Sequence, residues 1–126
     1  MRRYLLDTHA ILWFAQGSEK LSRAALVLLE SGLCAYSMAS LWEIAIKQSI
    51  GKIECALPIP ALADYCDDSG FARLPILPRH LERIKTLPPI HNDPFDRLLI
   101  ATALEDGLSI VTHDRLIPRY PVETVW

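Results

Sequence analysis

Short, largely apolar runs recur along this chain between longer stretches of helical periodicity, and that alternation restricts the possible folds more than any other feature. The short runs are Tyr4 to Leu6, Leu33 to Ser37, Phe71 to Ile76, Leu108 to Thr112 and Val122 to Val125. They do not alternate apolar with polar, which is the pattern of strands covered on both faces. Between them, helices are expected over about His9 to Ala15, from a Ser22 cap through Leu29, over Met38 to Ile50, Pro60 to Ser69, Pro78 to Leu87 and Pro94 to Asp106. Gly32, Gly51, Gly70 and Gly107 stand where helices stop, and Pro78 and Pro94 stand where a missing N–H costs nothing. The expected fold class is α/β, an α/β/α sandwich with a central, mostly parallel sheet of about five strands.

A length of 126 residues, 51% hydrophobic and 22% charged, suits one globular domain spanning residues 1–126, with no repeat or linker. No apolar run reaches the roughly 18 to 20 residues that a membrane span needs, and Asp7 interrupts the opening segment, so a cytoplasmic protein without membrane attachment is expected. Cys34, Cys55 and Cys66 are odd in number and lack a Cys-x-x-Cys spacing, so they read as reduced, packing thiols. A net charge of −2 provides no broad basic footprint for nucleic acid. A bound divalent cation can supply positive charge locally, however, and the carboxylates that hold it make such a protein look acidic.

Four acids sit where carboxylates have chemistry available to them. Asp7 follows the first apolar run; taken alone it reads first as a cap for the next helix, and the same position also offers a carboxylate at the sheet rim where ligands of open α/β sheets gather. Glu43 lies on a helix whose Leu41, Trp42, Ile44, Ala45, Ile46 and Ile50 cover most of the circumference, leaving a polar stripe of Ser40, Glu43 and Lys47. An exposed Glu43–Lys47 pair explains that stripe, but so apolar a helix is expected to be largely enclosed, and an enclosed carboxylate needs a compensating partner. Asp96 lies in the first turn of its helix, on the same face as Leu99, Ile100 and Ala103 and pointed toward the sheet, while Asp93 before Pro94 makes a natural cap. Asp114 ends the Leu108 to Thr112 segment as a turn aspartate, with Thr112 placed to orient a carboxylate or a water.

Taken together, the four would repel one another and shift one another's pKa, a cluster that a fold tolerates chiefly when cations occupy it. Oxygen ligands alone suit Mg2+ or Mn2+ rather than zinc. The histidines His9, His80, His91 and His113 have no zinc spacing and read as surface or capping residues, with His113 a candidate phosphate contact beside Asp114. Lys47, Arg97 and Arg115 neighbour the acids and are candidates to grip a phosphate backbone, although ordinary ion pairs account for each of them singly.

The segments Leu5-Leu6-Asp7-Thr8-His9, Ser40-Leu41-Trp42-Glu43-Ile44-Ala45-Ile46-Lys47, His91-Asn92-Asp93-Pro94-Phe95-Asp96-Arg97-Leu98-Leu99-Ile100-Ala101 and Val111-Thr112-His113-Asp114 carry a resemblance over almost the whole length. The chain resembles the VapC-type PIN-domain ribonucleases, the toxin halves of VapBC toxin–antitoxin pairs. The resemblance implies an acidic site of Asp7, Glu43, Asp96 and Asp114, with Thr112 as its accompanying hydroxyl and Asp93 as an additional acid. It also implies Mg2+ or Mn2+ as cofactor, RNA as substrate, a homodimer, neutralisation by a VapB-type antitoxin, and operator DNA bound only through that antitoxin. The apolar residues Trp13, Phe14, Leu26 and Leu29 suit either an antitoxin groove or core packing.

Other functions compete with hydrolysis. A scaffold that binds RNA or protein without chemistry is disfavoured by the presence of all four acids. A phosphatase using Asp7 lacks the second aspartate of an Asp-x-Asp motif, and no Gly-x-Gly-x-x-Gly follows the first strand to bind a dinucleotide.

Overall fold

A three-residue strand, β1 (Tyr4–Leu6), occupies the middle of the sheet in this computed structural model, which describes residues 2–126. The chain continues through α1 (Thr8–Gln16), α2 (Arg23–Leu29), β2 (Cys34–Ser37), α3 (Met38–Ser49), α4 (Ile59–Asp68), β3 (Ala72–Leu74), α5 (Pro78–Ile84), α6 (Pro94–Asp106), β4 (Ser109–Val111), a 3-10 turn at Ile117–Arg119 and β5 (Thr124–Val125). The strand order is β3-β2-β1-β4-β5, and every pairing is parallel.

Successive residues of a strand face opposite sides of the sheet, and this divides the core in two. Leu6, Val111 and Tyr36 of β2 point to a cluster with Ile11, Leu12, Leu29, Leu41, Ile44 and Leu62 from α1 to α4. Leu5 and Ile110 point to the other face, where Leu99, Ile100 and Ala103 of α6 meet Ile117 and Tyr120. Each of these leucines, isoleucines and valines is almost wholly removed from water, a burial worth roughly 1.5–3 kcal/mol per side chain before entropy is charged against it.

The expected elements are present: α1 runs one residue further at each end and α6 matches, while most strands and α5 are shorter. Strand β3 keeps only Ala72–Leu74 of the Phe71 to Ile76 run, and β5 only Thr124–Val125. Helix α5 stops at Ile84 rather than Leu87, its end tightening into turns in which Thr86 N–H and Leu87 N–H donate to Arg83 O and Ile84 O. The expected enclosure of α3 holds on one face alone. Ser40, Leu41, Glu43 and Ile44 are buried, whereas Trp42, Ile46 and Ile50 are 55%, 39% and 58% exposed, an apolar stripe open to solvent. The three thiols are free, with Cys34 and Cys66 buried in the core.

Helix α6 ends on Gly107 at φ 68, a left-handed conformation that lets the chain reverse into β4. That reversal fixes where the residues after β4 emerge, and so positions part of the site. Among the described residues no helix is long and apolar enough to cross a membrane.

Candidate active site

The sheet changes winding direction at β1. From β1 the chain moves through β2 to β3 on one side, then returns to place β4 and β5 on the other. Ligand crevices in open α/β sheets form outside the strand C-termini at such a switch. The β1–β4 register pairs Leu6 with Val111, so Asp7 and Thr112 are the next residues out on the two neighbouring strands.

Asp7 is 4% exposed and stands at the N-cap position of α1, yet its carboxylate makes no capping bond. The Thr112 hydroxyl donates to Asp7 Oδ2 at 2.7 Å, and the same hydroxyl oxygen accepts from Asp114 N–H at 3.0 Å. Burial raises the Asp7 pKa, opposed by the Thr112 bond, by the nearby His9 and by a Thr8 backbone bond, while the Asp114 charge adds to the rise. Asp114 is exposed, and its Oδ1 closes a turn by accepting from Leu116 N–H at 2.7 Å and Ile117 N–H at 3.1 Å.

Glu43 reaches the same region from α3. It is 3% exposed, and both its oxygens have partners: Thr8 Oγ1 lies 2.7 Å from Oε1, and Lys47 Nζ donates to Oε2 at 2.7 Å. Thr8 Oγ1 is also 3.0 Å from Ser40 Oγ, so one hydroxyl next to Asp7 ties α1 to two residues of α3. The Glu43–Lys47 pair expected from the spacing is formed, but with the carboxylate enclosed rather than exposed. The bond from Glu43 is the main reason that the Lys47 pKa is raised.

Asp96 comes from the start of α6. Asp93 Oδ1 accepts from Phe95 N–H at 2.9 Å and Asp96 N–H at 3.1 Å, so the cap is already made and Asp96 is released from it. Instead, Asp96 Oδ2 lies 3.1 Å from His91 Nε2. His91 Nδ1 is 2.7 Å from the Tyr120 hydroxyl, whose oxygen accepts from Arg97 Nη1 at 3.0 Å and from His91 N–H at 3.2 Å. The Tyr120 hydroxyl has two acceptors, Nδ1 at 2.7 Å and His91 O at 3.4 Å; the shorter contact favours donation to Nδ1, which puts the imidazole's own proton on Nε2, facing Asp96. Arg97 Nη1 also donates to Pro88 O at 2.9 Å, which holds it within this network. Burial pushes the Asp96 pKa up to about 7, opposed by His91 and reinforced by the charges of Asp7, Asp93 and Asp114.

Asp7 and Asp96, 89 positions apart in the sequence, therefore meet closely enough for each to feel the other's charge, with Asp93 and Asp114 within the same field. Among the described residues no three His, Cys, Asp or Glu side chains converge tightly enough to form a ready-made cation cage. The donor set is nevertheless all oxygen, and its surplus negative charge is partly buried, which fits a hard divalent cation held by few protein ligands and several waters. Asp7 and Asp96 fit that role best. Both oxygens of Glu43 already have partners; Asp7, Asp96 and Asp114 each have one oxygen engaged, but Asp114 is exposed to water where the other two are buried or partly buried.

A cleft of about 200 Å3 opens on two of the acids, Asp7 and Asp114, and is lined by them with His9, Trp13 and His113. Arg115 is exposed beside it, and Lys20 Nζ lies 5.7 Å over the Trp13 ring. Of the four apolar residues expected to form either a groove or the core, Leu29 is core, Trp13 lines the acid cleft, and Phe14 and Leu26 line a separate cleft with Leu21. Among the histidines, His9 and His113 are at the surface and His80 caps α5 by accepting from Leu77 N–H. His91 departs from that expectation, because it bridges Tyr120 to Asp96. Thr8, Ser40, His91 and Tyr120 are the site residues that sequence reasoning overlooked. His91 precedes Asp96 by five residues in an irregular segment, and Tyr120 meets it from 29 residues away, so no periodicity links them.

The family model for the PIN domain matches residues 4–123. Ribonuclease VapC22 of Mycobacterium tuberculosis is 34% identical, with the whole of both chains covered. Among solved structures, the fold is similar to VapBC2 from Rickettsia felis bound to a DNA fragment from its promoter, with a TM-score of 0.72, 16% identity and coverage of 97% of this chain and 96% of that one. It is also similar to DNA-bound VapBC from Salmonella typhimurium, with a TM-score of 0.69, 20% identity and coverage of 99% and 98%. A parallel five-stranded sheet between helices, a carboxylate-lined switch point, and full-length similarity to a VapC protein agree on one assignment: the chain belongs to the PIN-domain family, in its VapC branch.

Proposed function

We propose that this chain is a metal-dependent endoribonuclease and the toxin of a VapBC pair, acting as a single domain. The observation that carries the reading is the convergence of Asp7 and Asp96 at the β1–β4 switch point, where burial is the main cause that raises the pKa of both and neighbouring carboxylates add to it, Asp114 for Asp7 and Asp7, Asp93 and Asp114 for Asp96. Such a site is short of positive charge, and Mg2+ or Mn2+ suits oxygen ligands. Asp7 and Asp96 would hold the cation directly, with Glu43 and Asp114 as further acids of the site. When bound, the metal supplies Lewis acidity toward a phosphodiester and lowers the pKa of an attacking water.

The chain's own residues do the rest. Thr112 fixes the Asp7 carboxylate, and Thr8 with Lys47 fixes Glu43. His91, steadied by Tyr120, holds one oxygen of Asp96 and leaves the other free. Asp93 serves by capping α6, which frees Asp96 from that duty. Arg115 and His113, at the mouth of the cleft, face the RNA; Arg97 and Lys47 contribute through internal bonds that already occupy them.

The exposed α3 stripe of Trp42, Ile46 and Ile50, with Phe95 packed edge-on against Trp42 at 5.0 Å, is the surface that supports a homodimer. The cleft of Phe14, Leu21 and Leu26 supports docking of a VapB-type antitoxin, through which alone operator DNA would be bound. These partners and the RNA substrate place the protein in the cytoplasm. Incubating the protein with total RNA in Mg2+ or Mn2+, with EDTA controls and the Asp96→Asn variant, tests the reading. Cleavage should require metal and vanish in the variant. Tight RNA binding without turnover in either metal would replace it with a catalytically silent RNA-binding role.

A further inference from the structure

The acid cleft has a second wall that metal chemistry does not use. It is built from rings: His9 and Trp13 of α1, at 5.5 Å between centroids, face His113 beyond β4. Trp126 stacks on His113 at 5.3 Å with 19° between planes, and Trp13 braces both edge-on at 6.3 and 5.6 Å. Trp126 stacks on His113 without itself lining the cleft, so the indole supports the imidazole and leaves the cleft open beside it. His113 is solvent-exposed, and an exposed imidazole held flat against an indole is a pre-ordered surface rather than a core contact.

We propose that the His9, Trp13 and His113 wall is a stacking subsite for one unpaired nucleobase of the RNA, next to the phosphate held at the acids. This rests on the ribonuclease reading above. Two features select a base over a larger occupant. The cleft volume of about 200 Å3 lies below the roughly 300–1,000 Å3 of ordinary small-molecule pockets, leaving space for one planar ring system. Asp7 and Asp114 border the same cleft, so a ring seated there has its own backbone phosphate beside the carboxylates. Aromatic surfaces of this kind hold single-stranded nucleic acid through the faces of its bases, which stacking within a duplex would hide. The substrate is therefore RNA with an unstacked nucleotide at the cut, and the wall acts on binding rather than on bond breaking.

The test uses short fluorescein-labelled single-stranded RNAs in which one nucleotide at a time is made abasic. Binding is read by anisotropy in Ca2+, and cleavage by kcat and KM in Mg2+ or Mn2+. His113→Ala should weaken binding by about five- to 150-fold, the range for losing one base stack. His113→Phe, which keeps a ring and discards the imidazole's polarity, should restore most of it. One abasic position should reproduce the loss, and His113→Ala should add nothing on that RNA. If His113→Phe is as weak as His113→Ala, the contact is polar and the stacking subsite is wrong. Equal tolerance of every abasic position overturns it as well. Ring-dependent binding without cleavage in either metal would sustain the subsite and remove the ribonuclease reading alone.

Discussion

Replacing Asp96 by Asn should destroy metal-dependent activity while making the metal-free protein more stable. Folded Asp96 holds its proton up to about pH 7, against an ordinary value of 3.8. Between those pH values the folded state binds more protons than the unfolded chain, so stability falls as pH rises and levels off above 7. At roughly 1.4 kcal/mol per pKa unit the full penalty near pH 8 is about 4 kcal/mol. Asp7 competes for the same proton, and local water softens the site, so about half of that is expected to be realised. Asn keeps an amide oxygen to accept from His91 but loses the charge assistance of that bond, at about 1 kcal/mol. The net expectation at pH 8 in EDTA is a gain of about 1 kcal/mol, or a Tm higher by about 3–6 °C. At pH 5 the gain should shrink to less than half. Adding Mg2+ should stabilise the wild type by mass action and leave Asp96→Asn unmoved. Thermal melts at pH 5 and 8, with EDTA or Mg2+, measure all of this. A variant less stable than wild type at pH 8 in EDTA, or one that gains as much from Mg2+, would refute the electrostatic account of the site.

Three further substitutions probe its supports. Thr112→Val removes the donor to buried Asp7 and should cost about 1–3 kcal/mol in urea unfolding, with Thr112→Ser recovering most of the loss. His91→Ala should weaken Mn2+ binding by about 10–100-fold in calorimetry with the fold intact, because a carboxylate that has lost its orienting partner is a poorer ligand; an unchanged affinity would remove His91 from the site. Gly107→Ala meets no atom within 4 Å but must adopt φ 68, so about 1 kcal/mol of strain is expected by denaturant unfolding, without effect on metal affinity.

Helix α6 was legible in full because local chemistry marks both ends: Asp93 and Pro94 open it and Gly107 closes it. The Ser22 cap of α2 was legible for the same reason, and its side chain accepts from Ala25 N–H. Strand lengths were less so, since a strand ends where its neighbour stops pairing, and β3 pairs with β2 over only three positions. The 3-10 turn at Ile117–Arg119 carried no periodicity to read. Helix α3 misled in the other direction. Its nearly all-round apolar surface predicts enclosure, yet Trp42 and Ile50 remain more than half exposed. An amphipathic pattern records which faces avoid water, not which molecule covers them.

The sequence by itself determined the element types and the parallel character of the sheet, because each depends on spacing or caps within a few residues. The tertiary structure alone decided the strand order β3-β2-β1-β4-β5, and with it the switch point that sets Asp7 beside Thr112 and within the field of Asp96. It also decided that Glu43 would be enclosed with Thr8 and Lys47, and that Tyr120 would steady His91. These contacts join residues tens of positions apart, and their energies exist only once the chain has closed the loops between them, so no local pattern encodes them.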